Sequence, residues 1–439
     1  MSYARGKIFW QLEEERVLKK ILFVTTRLPF PKISGRKISL YYYCKILSQN
    51  LGYELIVASF LEKGDNVEEK PDFIDKLITL PNPTFKEKIC NLVQKSFLKK
   101  TMPMQVSLYF SKKAKLKINE IIEQEKPDIV ISDMVRTTEY LKDFEKYNIA
   151  DLDDRLSLRY ERQLEVDIEG INPYGVYLSS MPKLVQKFLL NKYVKRKVVV
   201  REIDLLKRYE IEMGKKFDGV IFVAQKEAEE FNKELNMDKA IAVPLGVDIE
   251  YFSQEIECST DKNLIGFLGR MNVSHNEDAV RNFIENIFPN ILKKVPNAQF
   301  VVIGGNVSQE MIDKYSCDNV IFTGRVEDIR YSLKKCRLLV CPLRFGSGIK
   351  TKNLEAMAMK VPVVTTPIGA ENIHAINLKD WLVANNDEEF VDYVVDILND
   401  DDLYNKLSEN GYKFVKDNFT WAIAEKEFEK YLKKLGEKI

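Results

Sequence analysis

Histidine is nearly absent from this 439-residue chain, with His275 and His374 the only two. None lies in the first 274 residues, so no histidine metal site or histidine general base is available there. The six cysteines (Cys44, Cys90, Cys258, Cys317, Cys336 and Cys341) are scattered and include no Cys-x-x-Cys pair. In a chain this long they read as buried or idle thiols of a reducing compartment. No apolar run reaches the roughly 18 residues that a membrane-spanning helix needs. The opening MSYARGKIFWQLEEERVLKK lacks the apolar core of a signal peptide, so the cytoplasm is the expected location. Charge of one sign is missing as well: 67 Lys and Arg face 66 Asp and Glu, a net +1. That balance argues against a dedicated nucleic-acid binder. Carboxylates, lysines, arginines and backbone groups are left to carry the chemistry.

What is present is ordinary globular material, 45% hydrophobic and 30% charged. Short β-branched runs alternate with longer helical patterns. Residues 21–24, 55–58, 129–131 and 220–223 read as buried strands, and the rhythm restarts after residue 260 with 264–268, 299–303, 320–322, 338–340 and 361–364. Strands alternating with helices predict parallel sheets covered on both faces. The restart predicts two Rossmann-like, doubly wound α/β domains facing a cleft. Residues 1–245 form the first, with 1–18 as a helical extension, and 246–415 the second. A final amphipathic helix within 416–439, with Trp421, Phe428 and Leu432 on its apolar side, is expected to cross back onto the first domain. Ligands of such sheets sit beyond the carboxyl ends of the strands.

The segment Phe345-Gly346-Ser347-Gly348-Ile349-Lys350-Thr351-Lys352-Asn353-Leu354-Glu355-Ala356 follows one such strand. Two glycines allow close backbone approach to a ligand, and a helix starting near Ile349 aims free N–H groups at it, which suits phosphate. Lys350 or Lys352 adds a point charge. Ser347, Thr351 and Glu355 would share one helical face spanning roughly 12 Å. A glycine turn with a weak Lys352–Glu355 pair accounts for the same residues without a ligand.

Together with Val361-Pro362-Val363-Val364-Thr365-Thr366-Pro367-Ile368-Gly369-Ala370-Glu371, this segment resembles the C-terminal signature of GT-B glycosyltransferases, of the family 4 type that retain configuration and use nucleotide sugars. Val243–Asp248, Phe267-Leu268-Gly269-Arg270, Val301–Gly304 and Phe322–Asp328 fall in the family's order. The resemblance covers 240–375 and is looser over 20–240. It implies that Glu355 binds the donor ribose and that the Gly346–Ile349 turn with Lys350 holds the diphosphate. By the same likeness Gly269 and Arg270 contribute from the opposite loop, and Arg325 and Val326 line the base pocket. No cofactor or obligatory metal is implied beyond the nucleotide-diphosphate sugar. Two positions depart from the commonest pattern: Ser347 stands where a second glutamate is usual, and Asn276 where a lysine follows Gly-Arg by six residues. Ser274-His275-Asn276-Glu277 reads as a capping box, with His275 an exposed first-turn residue.

In the first half, Gly35 follows the first strand and could approach the donor phosphate, with Arg36 or Lys37 supplying charge. Asp133 and Arg136 follow another strand. Asp151-x-Asp153 has the form of a metal-binding pair, but the other signals outweigh that reading, and Asp154 is the chosen acceptor-touching residue. Scarce histidine favours retention by front-face attack, with Lys350, Arg270 and helix dipoles stabilising the departing diphosphate. Inversion with Asp133 or Asp154 as base is the alternative. Two stretches concentrate positive charge: Lys86–Lys117 holds nine lysines and one acid, and Lys183–Arg201 holds seven Lys or Arg and no acid. They suit an anionic membrane surface or solvated helix faces equally. The expectation is a glycosyltransferase moving a hexose-type sugar to a saccharide or lipid-linked acceptor in cell-surface polysaccharide synthesis. A nucleotide-sugar 2-epimerase and a non-catalytic nucleotide-sugar binder are the competing functions.

Overall fold

A computed structural model describes residues 19–32, 35–62, 64–166, 183, 186, 190–346 and 348–436. The expected helical extension at 1–18 lies outside them. Seven parallel strands form the first sheet: β1 (Lys20–Thr25), β2 (Glu54–Ser59), β3 (Lys76–Thr79), β4 (Ile129–Asp133), β5 (Tyr147–Asp153), β6 (Gly219–Phe222) and β7 (Ala240–Ala242). Their order is β3-β2-β1-β4-β5-β6-β7. The second sheet has six: β8 (Asp261–Leu268), β9 (Gln299–Ile303), β10 (Val320–Gly324), β11 (Cys336–Cys341), β12 (Val363–Thr365) and β13 (Leu382–Val383). They run in the order β10-β9-β8-β11-β12-β13.

Alternation along each strand feeds two cores at once. Leu22 and Val24 of β1 enter one cluster while Ile21 and Phe23 enter the cluster on the opposite face. In the second sheet Leu338 and Val340 face one way and Leu339 the other. Successive side chains on a strand point to opposite faces, so a run with no polar break marks a strand buried on both sides. The sequence reading passes over four strands: β3, which is half-exposed, β5, whose Asn148, Asp151 and Asp153 interrupt the apolar pattern, and the short edge strands β7 and β13.

Helix Trp421–Gly436 leaves the second sheet's side and docks on the first. Ala424, Phe428, Tyr431, Leu432 and Leu435 join the cluster of Ile21, Phe23 and Tyr43. The Tyr431 hydroxyl donates to the Lys239 carbonyl at 3.1 Å, and Trp421 stacks on Tyr42 with centroids 4.2 Å apart. Among the described residues, no helix is long and apolar enough to cross a membrane.

Candidate active site

Three aspartates from two strand ends of the first sheet converge on one guanidinium. Asp133 ends β4, while Asp151 and Asp153 lie at the end of β5. Arg36, in the first turn of helix Gly35–Lys45, donates to Asp133 at 2.7 and 2.9 Å, to Asp151 at 2.6 Å and to Asp153 at 3.0 Å. Burial works against the Asp133 charge, but Arg36 and Thr26, whose backbone N–H donates at 2.8 Å, hold its carboxyl below the usual range. Asp151 goes the other way. Burial, with Asp153 and Asp133 close by, pushes it up to about 7, because one guanidinium cannot offset three buried carboxylates. Asp153 takes a left-handed backbone with φ of 67°, and Met134, just after β4, has φ of 59°. For residues other than glycine that conformation is strained, and strain of this kind gathers at functional sites.

Arg36 is therefore committed to the aspartates, and the Lys37 ammonium donates to Asp65 at 2.6 Å. Neither is directed at a donor phosphate from this position, contrary to the sequence expectation. Asp154 lies in the cleft wall and forms a two-point pair with Arg159, 2.6 Å from its Nε.

Across the cleft, the turn after β11 depends on its glycines. Gly346 has φ of 139° and Gly348 φ of 72°, backbone geometries that a side chain would strain. The helix runs Thr351–Ala358, two residues later than the sequence predicts, with Lys350 just before it. Thr351 and Glu355 are thus one turn apart in a helix, whereas position 347 precedes it, so the proposed three-residue helical face does not form. Ser347 itself lies outside the described residues. Lys350 is buried, its ammonium donating to the Gly348 carbonyl at 2.6 Å, and burial pushes its pKa down to about 8. Burial lifts Glu355 to about 7, opposed by Lys352 and a hydrogen bond from Thr351.

The helix expected to open with a capping box runs Ser274–Asn282 behind Val273, which has no side chain able to cap it. His275 is half-buried rather than exposed. Its ring meets Phe345 edge-on at 6.4 Å, and burial together with Lys352 and Lys350 lowers its pKa to about 3, leaving it a neutral imidazole. Asn276, standing where the family pattern has lysine, accepts from the Lys352 ammonium at 2.7 Å. A cation is thus delivered to that spot from the neighbouring helix, a substitution that spacing along the sequence does not reveal. Gly269 and Gly304 let the loops after β8 and β9 touch, since a Cβ on Gly304 would lie 2.1 Å from the Gly269 carbonyl oxygen.

A cavity of about 540 Å³ between the two sheets is lined by Gly35, Arg36, Asp153 and Asp154 on one side and by His275, Phe345, Gly346, Gly348, Ile349 and Thr351 on the other. Asp133 lies beneath it. Arg270 and Arg325 are exposed in the loops after β8 and β10, and Val326 is half-buried beside the second sheet's core. Arg162 pairs with Glu371 across the gap, and the Tyr42 hydroxyl donates to Asp248 at 2.5 Å. Sequence reasoning overlooked Arg162, and it read Asp153 and Lys352 without the partners they take here, Arg36 and Asn276. Each pairing becomes visible only through a residue distant in the chain.

Residues 262–400 match the family described as glycosyl transferases group 1. The chain is a glycosyltransferase with the GT-B fold, and those residues form its group 1 domain. This glycosyltransferase is 20% identical over 413 residues to an uncharacterised 44.6 kDa protein in the cps region of Klebsiella pneumoniae, covering 92% of this chain and 97% of the other. It is 25% identical over 177 residues to the capsular polysaccharide biosynthesis glycosyltransferase CapM of Staphylococcus aureus, covering 38% and 45% of the two chains. Anabaena HepE, solved in complex with UDP, has the same fold at a TM-score of 0.60 and 12% identity, over 94% of this chain and 100% of that one.

Proposed function

We propose that this glycosyltransferase moves a hexose-type sugar, with retention, from a UDP-sugar to a saccharide or lipid-linked acceptor in capsule or other cell-surface polysaccharide synthesis. The observation that carries the reading is the cavity in which the Gly346–Gly348 turn and the N-terminus of helix Thr351–Ala358 face the aspartate-lined wall of the first sheet. Unpaired N–H groups at that helix start, with Lys350 beside them and exposed Arg270 in the next loop, are suited to a diphosphate. Glu355, one turn further along, is placed for ribose hydroxyls, and Gly269, Arg325 and Val326 for the rest of the nucleotide. Residues 1–245 would take the acceptor and 246–415 the donor, with no metal required for the charge.

In a front-face reaction the C–O bond to the diphosphate breaks while the acceptor oxygen bonds the same face of the sugar. The acceptor proton passes to the leaving phosphate oxygen. His275, neutral and on the donor wall, is not charged at working pH, which fits a mechanism without an imidazolium acid. The UDP-bound neighbour and the capsular relative support the nucleotide and the pathway class. A lipid-linked acceptor would be met at the inner face of an anionic membrane, and 86–117 with 183–201 are the parts suited to it.

The test is a calorimetric panel of UDP, GDP and ADP, followed by transfer from the matching nucleotide sugars. UDP binding and an α-linked product from an α-linked donor are expected. Binding of no nucleotide, or a β-linked product, would overturn the donor or the retention respectively.

A further inference from the structure

Helix Phe85–Asn91 runs on through Leu92–Leu98, and it is built inside out. Phe85, Ile89, Val93 and Phe97 recur every four residues, a spacing that keeps them on one helical face. That face points to solvent, ending in Leu98, which is 72% exposed. Two of its three lysines turn the other way: Lys88 and Lys95 are half-buried, burial pushes both ammonium groups below their ordinary pKa, and the Lys95 ammonium lies 3.4 Å from the centre of the Phe110 ring. An ordinary surface helix would bury the apolar row and expose the lysines.

The two basic stretches, remote in sequence, meet at this helix. Arg201 stacks over the Phe97 ring at 4.5 Å and donates to the carbonyls of Ser96 at 2.5 Å and Phe97 at 3.0 Å. Asn91 donates to the Phe110 carbonyl at 2.7 Å, which brings helix Lys112–Glu125 and its exposed Leu116 alongside. At the start of helix Lys192–Lys216, Tyr193 is 80% exposed. Nine of the sixteen large apolar side chains exposed among the described residues fall within 85–116 and 190–200. Lys86, Lys99, Lys100, Lys113, Lys192 and Arg196 stand exposed in the same segments.

Charge and apolarity together choose the occupant. A second copy of the chain would press two lysine-rich faces together, and a nucleic acid would answer the lysines but leave the apolar row wet. An anionic bilayer answers both, its headgroups attracting the cations while the interface takes up Phe, Leu and Tyr. Resting on the lipid-linked acceptor read above, we propose that this face is a membrane-docking surface, with the row from Phe85 to Leu98 entering the headgroup boundary of an anionic bilayer. Position supports it. Helix Leu156–Val166 leaves the cleft wall and packs against helix Lys192–Lys216, with Ser157 donating to Glu210 and Lys207 pairing Glu161 at 2.7 Å. From Glu210 to Lys192 is roughly 27 Å at 1.5 Å per residue, so a lipid held at the surface must carry its reactive hydroxyl about that far.

The experiment is flotation of the full chain with phosphatidylcholine vesicles with and without about a third phosphatidylglycerol, at low salt. The wild-type chain is expected to float with the anionic vesicles alone, and Phe97→Asp/Leu98→Asp to lose at least about tenfold in the bound fraction. UDP affinity of that variant, measured by calorimetry, should stay unchanged, which separates loss of the surface from loss of the fold. A wild-type chain that stays behind, a variant that floats equally well, or a wild-type dimer that the double substitution splits would each overturn the proposal. Failure of the wild-type chain to bind UDP would strike the transferase reading and leave this surface standing.

Discussion

Glu355 shows how far single residues could be read in advance. Its motif marks it out, and its half-buried place one turn into the helix, with a pKa lifted to about 7 by burial, is that of a carboxylate waiting for hydrogen-bond donors. Ribose hydroxyls would supply them. Glu355→Ala should therefore weaken UDP binding by about 1–3 kcal/mol, or roughly 5- to 150-fold, with thermal stability unchanged or slightly raised. Calorimetry decides it, and an unaltered affinity would remove Glu355 from the ribose. His275 and Arg36 show the opposite limit. The sequence places both near the cleft, but it carries no sign that one ring is half-buried between lysines or that the other side chain turns inward onto three aspartates. Partners that arrive from distant strand ends leave no local pattern to read.

At the scale of elements, the strands with unbroken apolar runs were legible because a doubly covered sheet admits nothing else. β5 was not, for its polar residues serve the cleft rather than the core. Local rules and the global fold agree except where a site intervenes. The returning helix Trp421–Gly436 was legible from its amphipathic pattern, but not its closest contact. A Cβ on Gly219 of β6 would lie 1.6 Å from the Tyr431 hydroxyl and 2.6 Å from the ring carbon bearing it. Gly219→Ala should thus push the helix off the sheet and cost about 1–3 kcal/mol by overpacking. Adding Tyr431→Leu should recover part of that loss. Denaturant melts of the single and double variants measure it, and a single variant as stable as the parent would show that the helix is not seated there.

For the whole molecule, the distribution of buried acids sets an unusual pH dependence. Asp151, Glu202 and Glu227, all on the first sheet's side, and Glu355 on the second's are each pushed up to about 7, burial being the largest cause in every case. Glu202 and Glu227 are structural: one accepts the backbone N–H groups of Met104 and Gln105, the other that of Arg155. Unfolded, all four would titrate near about 4. A carboxyl whose folded pKa is raised contributes stability that is fully present below the unfolded value and lost as pH rises through the folded one. The window is therefore about pH 4.5 to 7, with stability growing as pH falls across it. His275 opposes the trend, since its folded pKa of about 3 lies below an ordinary value near 6.5, so the unfolded chain takes its proton first as the solution is acidified. Lys350, lowered to about 8, exerts a constant penalty below that pH and does not shape the window. Four groups outweigh one, and the chain should be more stable at pH 5.5 than at pH 8.0 by a few kcal/mol, or roughly 5 °C in melting temperature. A melting series at fixed ionic strength checks the sign. Glu202→Gln, which removes one of the titrating groups where it caps a helix, should flatten the slope while preserving its direction; a curve that falls toward pH 5.5 would mean that these carboxylates reach solvent and that the cluster around Arg36 is looser than its hydrogen bonds require.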